Sequence, residues 1–388
     1  MHSPVMKILR AAAAVLGLLL AGAVAADDTQ FATDPRLNDA RKWRIAYYEG
    51  GPYVNYQDTL MATVRGLMKL GWIEAADLPA PPEDETNAAL WQWLAGKAGS
   101  DYLEFVTDAY YSANWDEGVR EALSRRIIER LSTAADIDVI IAMGTAAGRD
   151  LANDRHSVPT VVMSTTDPVA AGIVKSVEES GHAHVHAAID PIRDERQVSI
   201  FHEATGFERL GVAYEDTVNG RSYAAMDVVE RLSGSKHFEI VPCHTYSDVS
   251  DVDIAEQSVV SCFEQLATKV DAISTTEQGG VTRRTLPKLI EIANGRRIPT
   301  FSQTGASEVK VGVLMSLSRA AYRYVGEFHA RTLAKIMNGA PPGRIGQVFQ
   351  EPPKIAINLN TARAIGFTPP LMLLGAADEV FGDPTAAE

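Results

Sequence analysis

Polar and small residues gather at the ends of short apolar runs along this chain. Glu49-Gly50-Gly51 follows Trp43 to Tyr48, Gly144-Thr145 follows Asp138 to Met143, and Ser164-Thr165-Thr166-Asp167 follows Thr160 to Met163. Tyr214-Glu215-Asp216-Thr217, Thr275-Thr276-Glu277 and Ser302-Gln303-Thr304 stand in the same relation to later runs. Hydroxyls and free N–H groups at helix starts hold a carboxylate or another anion. Acids among them hold an ammonium. Tyr47, Tyr48, Tyr53 and Tyr56 cluster around the first of these ends, and aromatic faces suit a flat apolar group or a cation. Any one such residue alone reads as a turn or cap residue. Their recurrence at successive ends reads as a binding site.

Other chemistry has weaker support. Gly181-His182-Ala183-His184-Val185-His186 alternates, so three imidazoles would share one side of a strand, a pattern able to bind a metal. No carboxylate or cysteine is paired with them in sequence, so a solvated or cleft-edge strand is the reading, and no metal or cofactor is expected. Ser250-Asp251-Val252-Asp253 reads as a helix N-cap followed by acids that favour the helix dipole, rather than a calcium loop. No Gly-x-Ser-x-Gly elbow, phosphate loop or His-Glu-x-x-His occurs. Glu49 and Asp167 are conceivable as a carboxylate pair for glycoside hydrolysis, but lone acids at strand ends are far more often binding or capping groups.

The elements that must position these residues alternate. Strands are expected at Trp43 to Tyr48, Tyr102 to Thr107, Asp138 to Met143, Thr160 to Met163, Leu210 to Tyr214, Phe238 to Pro242, Asp271 to Thr275 and Pro299 to Ser302. Helical spacing runs through Leu60 to Leu70, Ala88 to Lys97, Glu117 to Leu131, Ala146 to Asn153, Ser222 to Leu232, Ile254 to Thr268 and Leu286 to Ala293. Short apolar strands alternating with helices predict parallel sheets covered on both faces. The number of units predicts an α/β protein of two doubly wound parallel-sheet lobes. In such folds ligands bind beyond the carboxyl ends of the strands.

Composition agrees with a globular two-domain chain. The 388 residues are 46% hydrophobic, which excludes whole-chain disorder. Lys+Arg total 36 against 50 Asp+Glu, a formal charge of −14, which argues against nucleic acid or anionic membrane as partner. Lys7 and Arg10 precede the apolar run Ala11 to Leu20 and then Ala21 to Ala26, the pattern of a secretory signal over residues 1–26. Cleavage there leaves 34 − 50 = −16 on a soluble, periplasmic product. Cys243 and Cys262 are the only cysteines. They exclude a disulfide scaffold and a four-cysteine zinc site, and their spacing alone leaves open whether they pair.

Several segments carry a resemblance. Asp138 to Thr145, Val158-Pro159-Thr160, and Thr166-Asp167-Pro168-Val169-Ala170-Ala171-Gly172-Ile173-Val174 are the first. Gly326 to Gly339 and Ile355-Ala356-Ile357-Asn358-Leu359-Asn360-Thr361-Ala362-Arg363-Ala364-Ile365-Gly366-Phe367 follow. Together they make the chain resemble the tryptophan/tyrosine-type substrate-binding proteins of ABC importers, which have the type I periplasmic-binding fold. The resemblance implies two lobes with a ligand cleft between them, joined by three crossovers. Lobe 1 would hold residues 43–164 plus 311–343, and lobe 2 residues 165–310 plus 344–388. It implies that Gly144, Thr145, Thr165, Thr166 and Asp167 line the first-lobe side. Asp190, Tyr214, Asn219, Thr276 and Glu277 would lie on the second-lobe side or hinge. Thr145 and Thr166 would bind a carboxylate, Asp190 or Glu277 an ammonium, and Tyr48 or Tyr53 would pack on the ligand side chain. The loop Tyr48-Glu49-Gly50-Gly51-Pro52-Tyr53 departs from the family, and about Glu74 to Ser100 looks inserted, with Trp91 and Trp93 expected near the cleft mouth.

The implied function is a monomeric periplasmic receptor that does no chemistry. It would deliver a small ligand, an aromatic or other amino acid or related metabolite, to an inner-membrane ABC permease by cleft closure, with no nucleic acid as partner. The alternatives are a ligand-binding partner of a membrane sensor kinase or chemoreceptor and, less favoured, an exported hydrolase.

Overall fold

The structure, a computed structural model, describes residues 31–80, 86–318, 322–350 and 353–382. The expected signal segment lies outside the described residues. Among the described residues, no helix is long and apolar enough to cross a membrane.

The first lobe is built on β1 (Trp43–Glu49), β2 (Leu103–Ser112), β3 (Val139–Met143), β4 (Thr160–Met163) and β5 (Val185–Ala187). They form one parallel sheet in the order β2-β1-β3-β4-β5. Every residue of β3 is buried, as a strand covered on both faces requires. Neighbours in a strand point to opposite faces. Ile45 and Tyr47 therefore join one core with Leu60, Trp91 and Leu333, while Ala46 and Tyr48 join the other with Ile127 and Leu151. The helices on these faces are α1 (Val54–Lys69), α2 (Ala88–Gly96), α3 (Glu117–Thr133) and α4 (Gly144–Leu151).

The second lobe begins with α5 (Arg193–Thr205), then β6 (Arg209–Tyr214), α6 (Val218–Tyr223), α7 (Met226–Lys236), β7 (Glu239–His244), α8 (Val252–Leu266) and β8 (Ala272–Thr275). It continues through α9 (Leu286–Gly295), β9 (Thr300–Ser302), α10 (Ala306–Val311) and β10 (Met315–Ser318). Helix α11 (Tyr322–Met337) returns to the first lobe and packs on α1. The chain then closes the second lobe with β11 (Lys354–Asn358), α12 (Leu359–Ile365), α13 (Leu371–Ala376) and β12 (Glu379–Phe381). The second sheet runs β12-β11-β10-β9-β8-β6-β7, parallel except for the β10–β11 pair. Asp251 caps α8 by accepting from the Asp253 N–H at 3.0 Å, the cap expected from its sequence.

Three details depart from the expected organisation. Val185–Ala187 pairs with β4, so the histidine-bearing strand belongs to the first sheet and the first crossing follows Ala187, not Ser164. Met315–Ser318 pairs with β9 and β11, so the return to the first lobe follows Ser318 rather than starting at Val311. The outward and final crossings run side by side: Ile189 N–H donates to the Gln347 carbonyl, and Phe349 N–H donates to the Ile189 carbonyl, both at 2.8 Å. Third, the single helix expected over Ser222 to Leu232 is two, broken where Ala225 takes the left-handed conformation at φ 53°.

The segment expected to be inserted forms α2 against edge strand β2. Trp91 is buried in the first-lobe core, packed edge-on against Phe105, with its indole N–H on the Val106 carbonyl at 3.1 Å. It belongs to the core, not to the cleft mouth, because its helix covers the sheet face that carries Tyr47. Cys243 and Cys262 are joined in a disulfide that ties β7 to α8.

Candidate ligand-binding site

The carboxyl ends of β1, β2, β3 and β4 face those of β6, β7 and β8. Between them lies a small inner chamber of about 40 Å³. The loop after β1 and the start of α1 bring Tyr53 and Tyr56, and the loop after β2 brings Trp115. Thr145 opens α4, and Ser164 and Thr166 follow β4. The second lobe answers with Asn219 and Tyr223 from α6, Ser247 and Asp248 after β7, and Glu277, Gln278 and Gly279 after β8.

The aromatic wall is preorganised. Tyr53 and Tyr56 meet edge to face with centroids 5.3 Å apart, and Tyr56 lies 6.3 Å from Trp115. One face of Trp115 lies against Gly51, where a Cβ would fall 2.5 Å from the ring. Its indole N–H donates to the Pro52 carbonyl at 3.0 Å. Asn114 and Trp115 both have positive φ, 50° and 61°, a costly backbone held by these contacts. Gly144, at φ 84°, lets the Tyr56 hydroxyl approach where any side chain would collide with it.

The acids divide into engaged and available. Glu277 receives Arg193 Nη2 on Oε1 at 2.8 Å and the Thr166 hydroxyl on Oε2 at 3.3 Å. The nearest donors to Asp248 are Asn219 Nδ2 and the Ser247 hydroxyl, both at 3.4 Å. Burial, then the nearby Glu215 carboxylate, pushes the Asp248 carboxyl up to about 6 against the pull of Asn219, Ser247 and Arg120. Burial and neighbouring carboxylates hold the Tyr53, Tyr56 and Tyr223 phenols well above their ordinary range, so they stay neutral.

Hydrogen bonds cross the cleft among the described residues. Thr166 to Glu277 is one. Arg149 Nη1 donates to Asn219 Oδ1 at 2.9 Å, and the Ser222 hydroxyl donates to the Asp167 carbonyl at 3.0 Å. Beyond Ser164, Thr166 and Glu277 the chamber opens into a wider groove of about 730 Å³, walled in part by Asp58, Thr165, Arg193, Glu308 and Tyr322.

Of the residues expected at the site, Tyr53, Thr145, Thr166, Asn219 and Glu277 line the chamber, and Thr165 lines the outer groove. Gly144 lies against the Tyr56 hydroxyl at the chamber wall, and the remaining six sit elsewhere. Tyr48 is fully buried on the opposite face of β1 from Tyr47, donating to Asp150 at 2.6 Å. Glu49 is fully buried and accepts from the Tyr47 and Tyr110 hydroxyls at 2.5 and 2.9 Å and from Asn87 at 3.1 Å. Burial raises its carboxyl, and those donors partly offset the rise. The Asp167 carboxylate is used by its own turn, accepting from the Val169 and Ala170 N–H groups. Asp190 pairs with Arg196 at 3.3 Å beside the crossing. Tyr214 packs on His244 with centroids 5.3 Å apart, and the buried Thr276 hydroxyl donates to the Ala213 carbonyl at 2.7 Å. Glu277, paired with Arg193, is a poorer ammonium partner than Asp248.

Trp115, Tyr223, Asp248 and Gln278 were not expected. Asp248 was within reach of the strand-end rule, since β7 runs on to His244 and the loop begins there. Tyr223 was hidden inside what reads as one continuous helix. The histidines part at His186: His182 pairs with Asp154 at 2.8 Å and lies edge-on to His184 with centroids 6.0 Å apart, His184 meets His156 edge-on at 4.6 Å, and His186 faces the Gly346 carbonyl. Among the described residues, no group of three or more His, Cys, Asp or Glu is placed to hold a metal.

Comparison with known proteins identifies a family and a fold. The family model for ABC transporter substrate binding proteins matches residues 109–381, more than half of the chain. The tyrosine-binding protein of Clostridioides difficile is 24% identical over 229 residues, 59% of this chain and 63% of that protein. The match therefore spans less than two thirds of that relative's length. Among solved structures, a conserved domain protein from Vibrio cholerae superposes with a TM-score of 0.65 at 22% identity. An ABC domain in complex with L-Trp from Streptococcus pneumonia gives 0.65 at 18% identity. Each covers 88% of this chain and 100% of its own. At these identities the likeness is one of fold.

Proposed function

The chain belongs to the ABC transporter substrate-binding protein family, and on that premise we propose that it is an exported solute receptor. It binds a small zwitterionic ligand of the amino-acid type between its lobes and presents the closed form to a membrane ABC permease. The observation that carries this reading is the inner chamber, whose walls come from both lobes and whose rim is bridged by Arg149–Asn219 and Thr166–Glu277. A ligand touching both walls stabilises the closed arrangement over the open one by its differential contacts.

The polar groups divide the work. The Thr145, Ser164 and Thr166 hydroxyls, with the first N–H groups of α4, suit a carboxylate. Asp248 suits the positive end, and Tyr53, Tyr56 and Trp115 cover the apolar part. Nothing in this arrangement requires chemistry on the ligand. Export is supported by the sequence of residues 1–26 and by the Cys243–Cys262 disulfide, a bond that persists in oxidising compartments.

The test is ligand discovery on the purified protein, by mass spectrometry of copurifying small molecules and by thermal melts. A true ligand at about 100 times its Kd adds about 2.7 kcal/mol of stability. Thr166→Ala should weaken that ligand while leaving the ligand-free melting temperature nearly unchanged. Absence of any response across amino acids, their derivatives and related zwitterions would sink the reading.

A further inference from the structure

The inner chamber, at about 40 Å³, has room only for the head of a ligand, while the outer groove, at about 730 Å³, has room for what the head carries. The two spaces share Ser164, Thr166 and Glu277, so a head held there borders both. Two buried polar atoms belong to residues on the groove wall and have no partner. Arg193 is 8% exposed and Thr165 7%, and neither Arg193 Nη1 nor the Thr165 hydroxyl makes a hydrogen bond. Thr165 follows β4 and Arg193 opens α5 on the other side of the cleft. Glu277 ties the two sides together, taking Arg193 Nη2 at 2.8 Å and the hydroxyl of Thr166, the neighbour of Thr165, at 3.3 Å.

The charge of Arg193 is met, but its hydrogen bonding is not. Nη2 donates to Glu277 and to the Gln303 carbonyl at 2.9 Å, and Glu277, Asp194 and Asp190 surround the guanidinium with negative charge. Nη1 keeps two N–H groups and Thr165 one O–H without an acceptor. A buried donor left unpaired costs about 1–3 kcal/mol, so the pair calls for an acceptor oxygen. The groove selects its kind. The charged residues of its wall are Asp58, Glu277, Glu308 and Glu379 against Arg193 and Arg283. Burial pushes the Glu308 carboxyl up to about 7, and the other three acids still outnumber the two arginines. A second carboxylate would enter an acidic wall. A neutral carbonyl oxygen accepts the same hydrogen bonds without that repulsion.

We infer that Arg193 Nη1 and the Thr165 hydroxyl form a subsite for a neutral carbonyl oxygen, so that the ligand class is an amino acid whose side chain ends in an amide. This rests on the solute-binding reading above and narrows it. The head stays with Thr145, Ser164, Thr166 and Asp248, and the side chain leaves past Thr166 and Glu277 into the groove. Thr165 is the specificity-determining residue, because its hydroxyl has no other bond to make.

Calorimetric titration of the purified protein with amides, acids and a hydrocarbon of matched length tests this. L-Glutamine is set against L-glutamate, and the side-chain amide of L-2-aminoadipate against L-2-aminoadipate itself, with L-norleucine as the hydrocarbon control. At least one amide should bind about tenfold tighter than its acid and than norleucine, the scale of a hydrogen bond from a charged donor. Thr165→Val keeps the side-chain shape and removes the hydroxyl. It should cut the preference of that amide over norleucine about fivefold and leave norleucine unchanged, while Thr165→Ser keeps the preference. Circular dichroism should match the parent, and if Thr165→Val does not fold, the ligand series on the parent protein still decides. Equal or tighter binding of the acids or of norleucine overturns the proposal, as does an unchanged preference in folded Thr165→Val. If L-tyrosine or L-tryptophan binds and neither amide does, the carbonyl subsite fails while solute binding stands. If nothing in either set binds, both fail.

Discussion

Asp248 works against the stability of the protein that carries it. Burial and Glu215 push its carboxyl up to about 6, so the folded state prefers the neutral form. The sign follows from linkage: ligand-free protein gains stability from this group as pH falls below about 6, and loses that gain as pH rises. Asp248→Asn should therefore raise the ligand-free melting temperature at pH 8, with the difference shrinking at pH 5. Binding of a cation should run the other way, weakening as pH falls through about 6. Glu215, Tyr56, Tyr223 and Arg120 all act on this carboxylate, and Glu308 and Glu49 are raised in the same direction. The difference between parent and variant isolates Asp248; a pH-independent difference would contradict the assignment. At this scale the sequence was partly legible. Thr145, Thr166, Asn219 and Glu277 follow strand ends, and the structure brings all four to the chamber wall. Tyr48 and Glu49 also stand at a strand end, yet the pleat and the covering helices turn both into core. Facing direction depends on which side of the sheet the next element covers, and adjacent letters do not record that.

Among the elements, β7 and α8 are the pair whose union the sequence left open. Their disulfide spans 19 residues. Closing a loop of that size stabilises by about 3 kcal/mol in the chain-entropy account. Cys243→Ala with Cys262→Ala should lower the stability of the second lobe by about that amount, read as a lower denaturant midpoint. Asp248 follows β7 directly, so ligand affinity should fall as well if the strand end loosens. Elements with strong apolar runs, such as β3 and α9, were legible from pattern alone. Strand β5 was legible as a strand from its alternating histidines, but its sheet was not, because three residues carry no signal for which lobe they join. Its sheet partner β4 decides its place. The break at Ala225 was equally silent, since both flanking segments favour helix and tertiary contact with the Asp167 carbonyl through Ser222 decides the turn.

For the whole molecule, the cross-lobe contacts decide how readily the cleft opens. Arg149 and Asn219 meet at the exposed rim, where a hydrogen bond contributes about 1 kcal/mol. Arg149→Ala should shift the equilibrium toward the open form and weaken ligand about fivefold, mainly through faster release. Small-angle scattering would show a larger radius for the ligand-free variant. An unchanged radius and affinity would mean the rim contact does not bias closure. The two-lobe plan was visible in the alternation of strands and helices, but the crossing points were not, since each crossing is short and uses residues that also suit a loop.

The interleaving of the lobes has a consequence in time. Helix α1 is made early, but α11, which packs against it, is made only after nearly the whole second lobe. At their crossing a Cβ on Gly66 would fall 2.7 Å from the Ala330 methyl, so the two helices are fitted to each other. A nascent chain ending at Ser318 has all five strands of the first sheet and an uncovered α1. Such a chain lacks the helix that completes the first lobe until synthesis is almost finished. Under the export proposed above, a first lobe completed so late suits a secretion pore, because a pore threads extended polypeptide and rejects a finished fold.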